Sequence, residues 1–323
     1  MTKFLVSGYI GFDNFGDEAI ANVLTSHLKS LNAEEITLLS SNPEKTASLH
    51  GVKSVSMFKF LPAIKNTDVL ISGGGSLLQD ITSLRSLLYY LSVIVSALVL
   101  KKKVIIFAQG FTPFRTKLGK FLTKQVLKKC YKITVRDKKS QKLLSDMEIK
   151  SELVADPVFG IEVNEHIHQG VGVQLRDFHS MNDDFLNRLA EQIEKHFKNE
   201  EIKLISLQDP IDLPILEKFE KILNHKEIKT KIYKNLSIND AIKTLSELEY
   251  LIGMRFHANL VASKAKVKVL GINYDIKVLN LANSVGFPII GLEENEINDE
   301  FEQLLNLDTQ NYKIPVFEFP NIT

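Results

Sequence analysis

A chain of 323 residues, 44% hydrophobic and 24% charged, is globular and long enough for two domains. Its formal net charge of +1 hides an asymmetry: residues 1–150 carry +11 and residues 151–323 carry −10, with +12 concentrated in 101–150. One cysteine, Cys130, excludes an internal disulfide, and an acidic second half with no recognisable binding module argues against nucleic acid as a partner.

The chain opens directly on an apolar strand at residues 3–8, with neither the long apolar core nor the cleavage site of a signal peptide. That opening and the lone thiol predict a cytoplasmic protein. The loop Gly8 to Gly16 follows, and Asp17-Glu18 opens an amphipathic helix to about Leu31. The glycine spacing is wrong for a dinucleotide site, and two carboxylates at the helix mouth would repel a pyrophosphate. Asp17 is therefore either a partner of the helix dipole or an acceptor for sugar hydroxyls. Strands at 36–39 and 68–72 come next. The second runs into Gly73-Gly74-Gly75-Ser76 and then a helix. These glycines read either as a tight turn or as a close approach to an anion or sugar hydroxyl. No P-loop pattern is present.

Leu87 to Leu100 is the longest apolar stretch, broken only by Ser92 and Ser96. It falls short of the ~20 residues of a membrane span and predicts a buried helix. A strand at 104–107 leads to Gln109-Gly110. A basic helix is predicted over 117–130, with Lys117, Lys120, Lys124 and Lys128 in one stripe. The excess charge in 101–150 reads either as a solvated basic surface or as a peripheral contact with an anionic membrane face. Strand 132–135 ends at Arg136-Asp137, which read as a local ion pair or as an exposed binding arginine, and a helix begins at Ser140.

The alternation pauses near 156–170 and restarts with strand 171–175, which ends at Arg176. Helices at 184–198, 212–223, 238–247, 256–264, 276–284 and 296–306 then alternate with strands at 202–207, 228–233, 249–252, 267–272 and 288–291. This order predicts two Rossmann-like α/β domains with mainly parallel sheets. They are placed at residues 1–165 and 166–310, followed by a tail at 311–323. The active site is expected in the cleft between them. His166-Ile167-His168 lacks the usual ligand set for a metal, and no metal site is predicted.

The sharpest feature is Gly253-Met254-Arg255-Phe256-His257. A strand end turning into a helix already favours anions. An arginine adds a planar charged fork, and a histidine titrates near neutrality. Arg176, at another strand end in the same half, is expected to converge with Arg255 on one anion.

Seven segments resemble, in order, the polysaccharide pyruvyl transferase family. They are Gly8-Tyr9-x-Gly11-x-x-Asn14-x-Gly16-Asp17-Glu18, Ile71 to Asp80, Gln109-Gly110, Val135-Arg136-Asp137, Asp156-Pro157-Val158, Gly253 to Ala258 and Tyr274-Asp275-x-Lys277-Val278. Phe256 stands where the family often has leucine, and Phe111-Thr112-Pro113 replaces a glycine-richer turn. The resemblance implies a GT-B-like fold and transfer of a pyruvyl group from phosphoenolpyruvate to a sugar of a cell-surface polysaccharide or its lipid-linked precursor. The product is a ketal, and phosphate is released. No cofactor is implied; phosphoenolpyruvate is a co-substrate. Arg176, Arg255 and His257 would be catalytic, with Phe256 joining them around the donor. Asn14, Asp17, Gly74, Gly75, Ser76, Gln109 and Arg136 would face the acceptor. A lipid-linked acceptor would suit work at the inner membrane face. A nucleotide-sugar glycosyltransferase of the same architecture, with Tyr274 and Asp275 near a nucleotide, is the alternative, and a non-catalytic saccharide-binding relative a third.

Overall fold

The structure is a computed structural model that describes residues 2–81, 83–163, 167–179, 181–294 and 296–321. Asn164, Glu165 and His166, at the expected boundary, lie outside the described residues. The chain forms two compact units: Met1–Ile161 with Val316–Thr323, and Glu162–Pro315.

The first unit is built on strands β1 (Lys3–Ser7), β2 (Glu35–Ser40), β3 (Lys53–Ser56), β4 (Val69–Gly73), β5 (Lys103–Gln109), β6 (Lys132–Val135) and β7 (Glu152–Leu153). They pair in parallel in the order β3-β2-β1-β4-β5-β6-β7. Helices on both faces explain why β4 and β5 read as unbroken apolar runs. On one face pack α3 (Phe60–Lys65), α4 (Leu84–Val99), α5 (Lys117–Leu127) and α6 (Lys138–Asp146), through Ile64, Leu87, Ile94, Leu127 and Leu144. On the other lies α1 (Phe15–Ser30), through Ala21, Leu24 and Leu28. Residues 43–66 carry no clear period; there the chain forms α2 (Pro43–His50), then β3 and α3. The C-terminal residues 316–321 return to the first unit, where Phe317 and Phe319 pack on Phe107. A pattern without a period gives no sign of that return.

The second unit has strands β8 (Val171–Gln174), β9 (Ile202–Ile205), β10 (Thr230–Tyr233), β11 (Tyr250–Gly253), β12 (Lys268–Asn273) and β13 (Ile289–Gly291). The intervening helices are α7 (Asp183–Phe197), α8 (Asp209–His225), α9 (Ile238–Ser246), α10 (Phe256–Lys264), α11 (Ile276–Val285) and α12 (Asn298–Leu305). Its parallel sheet runs β10-β9-β8-β11-β12-β13. Both sheets therefore reverse strand order once, between β1 and β4 and between β8 and β11. In open α/β sheets, ligands bind outside the carboxyl ends of the strands at that reversal.

Candidate functional site

In the second unit the reversal point is flanked by the predicted arginines. β8 and β11 pair with Gln174 opposite Gly253, so Arg176 and Arg255 leave adjacent strands two residues past that register. The Arg176 amide lies 3.4 Å from Met254 Sδ. His257 sits in the first turn of α10, edge-on to Phe256. No side chain caps this helix among the described residues.

The two guanidinium groups turn opposite ways along the sheet edge. Arg255 is 7% exposed and reaches across β8 to the start of α8. Its Nε and Nη2 donate to both carboxylate oxygens of Asp212, at 2.6 to 3.1 Å, and Nη2 also donates to Gln208 Oε1 at 3.0 Å. Asp212 is fully buried and also accepts from the Leu207 and Gln208 amides at 3.0 and 3.1 Å and from Gln174 Nε2 at 3.3 Å. Gln174 Oε1 accepts from the Arg255 amide at 2.7 Å. One carboxylate thus ties together the loops leaving β8, β9 and β11. Two nitrogens of the Arg255 fork are spent on this pair, since a buried charge requires a bonded partner.

Arg176 instead reaches across β11 toward the end of β12. Its guanidinium lies over the Tyr274 ring at 5.5 Å, and Nη1 is 3.5 Å from the Tyr274 hydroxyl. Its Nε is buried with no hydrogen-bond partner among the described residues. Phe178 packs edge-on to Tyr274 and walls the same spot. A half-buried guanidinium with an unused donor, beside an uncapped helix start, is an anion-binding arrangement. Asp275 is spent as the cap of α11, accepting from the Lys277 amide at 2.9 Å.

In the first unit the loops after β1 and β4 face each other across the reversal. Asn14 caps α1 by accepting from the Gly16 amide at 3.0 Å, so the capping role falls to it and not to Asp17. Asp17, in the first turn, lies against the glycine loop: a Cβ on Gly75, at φ +69°, would be 2.8 Å from Asp17 Oδ1. Gly74, at φ +62°, has no room at all, since its Cβ would meet Ile20 Cγ2 at 2.3 Å. The loop does not run straight into a helix; α4 starts only at Leu84, capped by Ser83. Nor is its backbone all open, because the Gly74 amide donates to the Phe107 carbonyl and the Gly75 carbonyl accepts from the Gly110 amide, both at 2.8 Å.

Arg136 does not pair with Asp137, which caps α6. Its Nη1 donates to Asp156 Oδ2 at 2.7 Å, and Nη2 lies 3.4 Å from Ser76 Oγ. Gln109 is fully buried, donating to Ser72 Oγ at 2.8 Å and to its carbonyl at 3.2 Å. It braces β4 against β5 beneath the loop. Asp80 accepts from the Arg115 amide and from the Thr116 amide and hydroxyl, at 2.5 to 2.8 Å. Burial would raise its carboxyl pKa, but these bonds outweigh that and hold it below the usual range. Buried Glu18 accepts from the Gly11 amide at 2.7 Å and meets His50 Nε2 at 2.9 Å, pinning the first glycine loop to α2. Periodicity gave no sign of Glu18–His50, Asp156, Gln174, Gln208 or Asp212 as partners. Glu18 and Asp156 stood in the segments that carry the family resemblance, but nothing there named their partners.

Two successive parallel α/β units with this strand order define a GT-B-like fold. The UDP-GlcNAc 2-epimerase of Methanocaldococcus jannaschii superposes with a TM-score of 0.69 at 12% identity, covering 98% of this chain and 96% of that one. A glycosyltransferase of Rickettsia africae gives 0.61 at 11% identity, with coverages of 94% and 88%. Anabaena Alr3699/HepE, in complex with UDP and glucose, gives 0.61 at 8% identity, with coverages of 97% and 92%. No curated protein sequence matches the chain. The model of the polysaccharide pyruvyl transferase family matches residues 14–276, and the chain belongs to that family.

Proposed function

We propose that the protein transfers the pyruvyl group of phosphoenolpyruvate to two hydroxyls of one sugar in a polysaccharide or its lipid-linked precursor. The reading is supported chiefly by Arg176, a guanidinium with an unused buried donor at the sheet reversal, next to the uncapped start of α10. Phosphoenolpyruvate presents a phosphate and a carboxylate, and these two positive features take them. Arg255 acts as a positioning residue. Its pair with Asp212 fixes the first turn of α10 and with it His257.

His257 donates a proton to the terminal methylene, which leaves the neighbouring carbon electron-poor. A sugar hydroxyl adds to that carbon and gives up its proton. The carbon–oxygen bond to phosphate breaks, and the second hydroxyl closes the ketal. Of the two hydroxyl protons, one replaces the proton spent on the methyl group and the other leaves with phosphate, so atoms and charge balance. On the acceptor side, Asn14, Asp17 and Ser76 border the reversal of the first sheet and offer acceptors and a hydroxyl for sugar hydrogen bonds.

Incubation with phosphoenolpyruvate and a lipid-linked saccharide tests the reaction. Phosphate release matched by one ketal-linked pyruvyl group on the sugar is expected. Nucleotide release from a nucleotide sugar, or no turnover with either donor, overturns the reading.

A further inference from the structure

Helices α3, α4 and α5 cover one face of the first sheet, packed on one shared core. None carries an aspartate or glutamate along its length. Of the two acids between these helices, Asp80 is buried and saturated by the Arg115 and Thr116 hydrogen bonds, and Asp68, exposed just before β4, accepts from the Lys3 amide at 2.9 Å. This outer face is not simply a solvated basic surface, because large apolar side chains stand out of it.

The stretch expected to be a buried helix keeps an exposed stripe: Leu88, Val95 and Val99, the last 73% exposed, recur at helical spacing along α4. On α5, Leu118 and Phe121 are 55% and 58% exposed. Phe58, just before α3, is 80% exposed. The helices adjoin: Tyr89 on α4 meets Phe60 on α3 at 6.1 Å, and a Cβ on Gly119 of α5 would lie 3.1 Å from Leu87 of α4. Single exposed apolar residues mean little, but an apolar face with a mainly basic rim marks an interaction surface. Lys117 and Lys120 are exposed beside Phe121 and Leu118, whereas Lys124 and Lys128 share Glu148.

We propose that this face docks on an anionic lipid bilayer, with Phe121, Leu118 and Val99 entering the headgroup region and the lysines meeting lipid phosphates. Charge complementarity selects this occupant. A second copy docked through the same face would set lysines against lysines, and a nucleic acid would give the protruding apolar groups nothing to enter. A laterally fluid anionic surface accepts both features. No helix among the described residues is long and apolar enough to cross a membrane, so the contact is a peripheral one. The proposal uses no residue of the transfer reaction and stands apart from it.

The test is co-sedimentation of the full chain, without substrates, with vesicles of phosphatidylcholine alone and of phosphatidylcholine with phosphatidylglycerol. Binding to the anionic vesicles at least tenfold tighter is expected, weakening as salt is added. Lys117→Gln with Lys120→Gln should lower affinity about fivefold per residue, the equivalent of about 1 kcal/mol each. Leu118→Ser with Phe121→Ser should lower it further while leaving thermal unfolding unchanged, since both residues are exposed. Equal binding to the two vesicle types, binding to neither, or wild-type binding by both variants overturns the proposal. Self-association in solution that Phe121→Ser abolishes also overturns it.

Discussion

Replacing Asp212 by alanine tests whether Arg255 is a structural anchor or a free donor-binding group. Asp212 is fully buried and holds Arg255, Gln174 and two backbone amides. Its removal leaves a buried guanidinium without its counter-charge and two amides without an acceptor. Breaking one partner of a buried ion pair costs about 3–5 kcal/mol. For a unit of this size that lowers its unfolding temperature by about 10 °C. Arg255→Ala should cost a similar amount, and the double variant clearly less than the sum, with a coupling above about 1 kcal/mol. Thermal and urea unfolding of the four proteins provide the measurement. If Asp212→Ala unfolds like the wild type, or the two single changes add, the pair does not hold the β8, β9 and β11 loops. An Arg255→Ala variant of full stability but raised KM would make Arg255 a direct donor contact instead.

Other outcomes follow from the same geometry. His257→Ala should lower kcat by about 10²–10⁴-fold with a smaller change in KM, and near-normal turnover removes it as the acid. Asp80 has a carboxyl pKa held below its ordinary value of 3.8, so its contribution to stability is present above that pH and fades as pH falls through the lower folded value. Asp80→Asn should therefore lose stability at neutral pH, and its unfolding curve should converge on the wild-type curve in acid. Parallel curves down to the lowest pH would contradict this. Burial pushes the Cys130 thiol up to about 12. It should react with iodoacetamide at neutral pH far more slowly in the native protein than in urea, and equal rates would contradict that shift.

Much of the fold was legible because it rests on period. Apolar runs between helical stripes gave the strands from β8 to β13 to within a few residues, and their alternation required parallel sheets. The elements between β2 and β4 were not legible: α2 buries little apolar surface and β3 is a short edge strand with an exposed or half-buried pattern. At the site, position was readable and direction was not. Arg176 and Arg255 do follow strand ends flanking the sheet reversal, with His257 in the helical turn after Arg255, which a linear pattern can indicate. Which neighbour each guanidinium faces depends on Asp212 in α8 and Tyr274 after β12, brought alongside by the topology. In the same way Arg136 passes over Asp137, its neighbour in sequence, for Asp156, because Asp137 is already used as a helix cap.

The most direct test of the donor site is a calorimetric titration of phosphoenolpyruvate into the wild type and into Arg176→Gln. Loss of charge-assisted hydrogen bonds to the ligand should weaken binding about 10- to 100-fold while thermal unfolding stays close to wild type. Equal affinity in the two proteins, or no binding of phosphoenolpyruvate by the wild type, would contradict the assignment of Arg176 as the group that holds the donor.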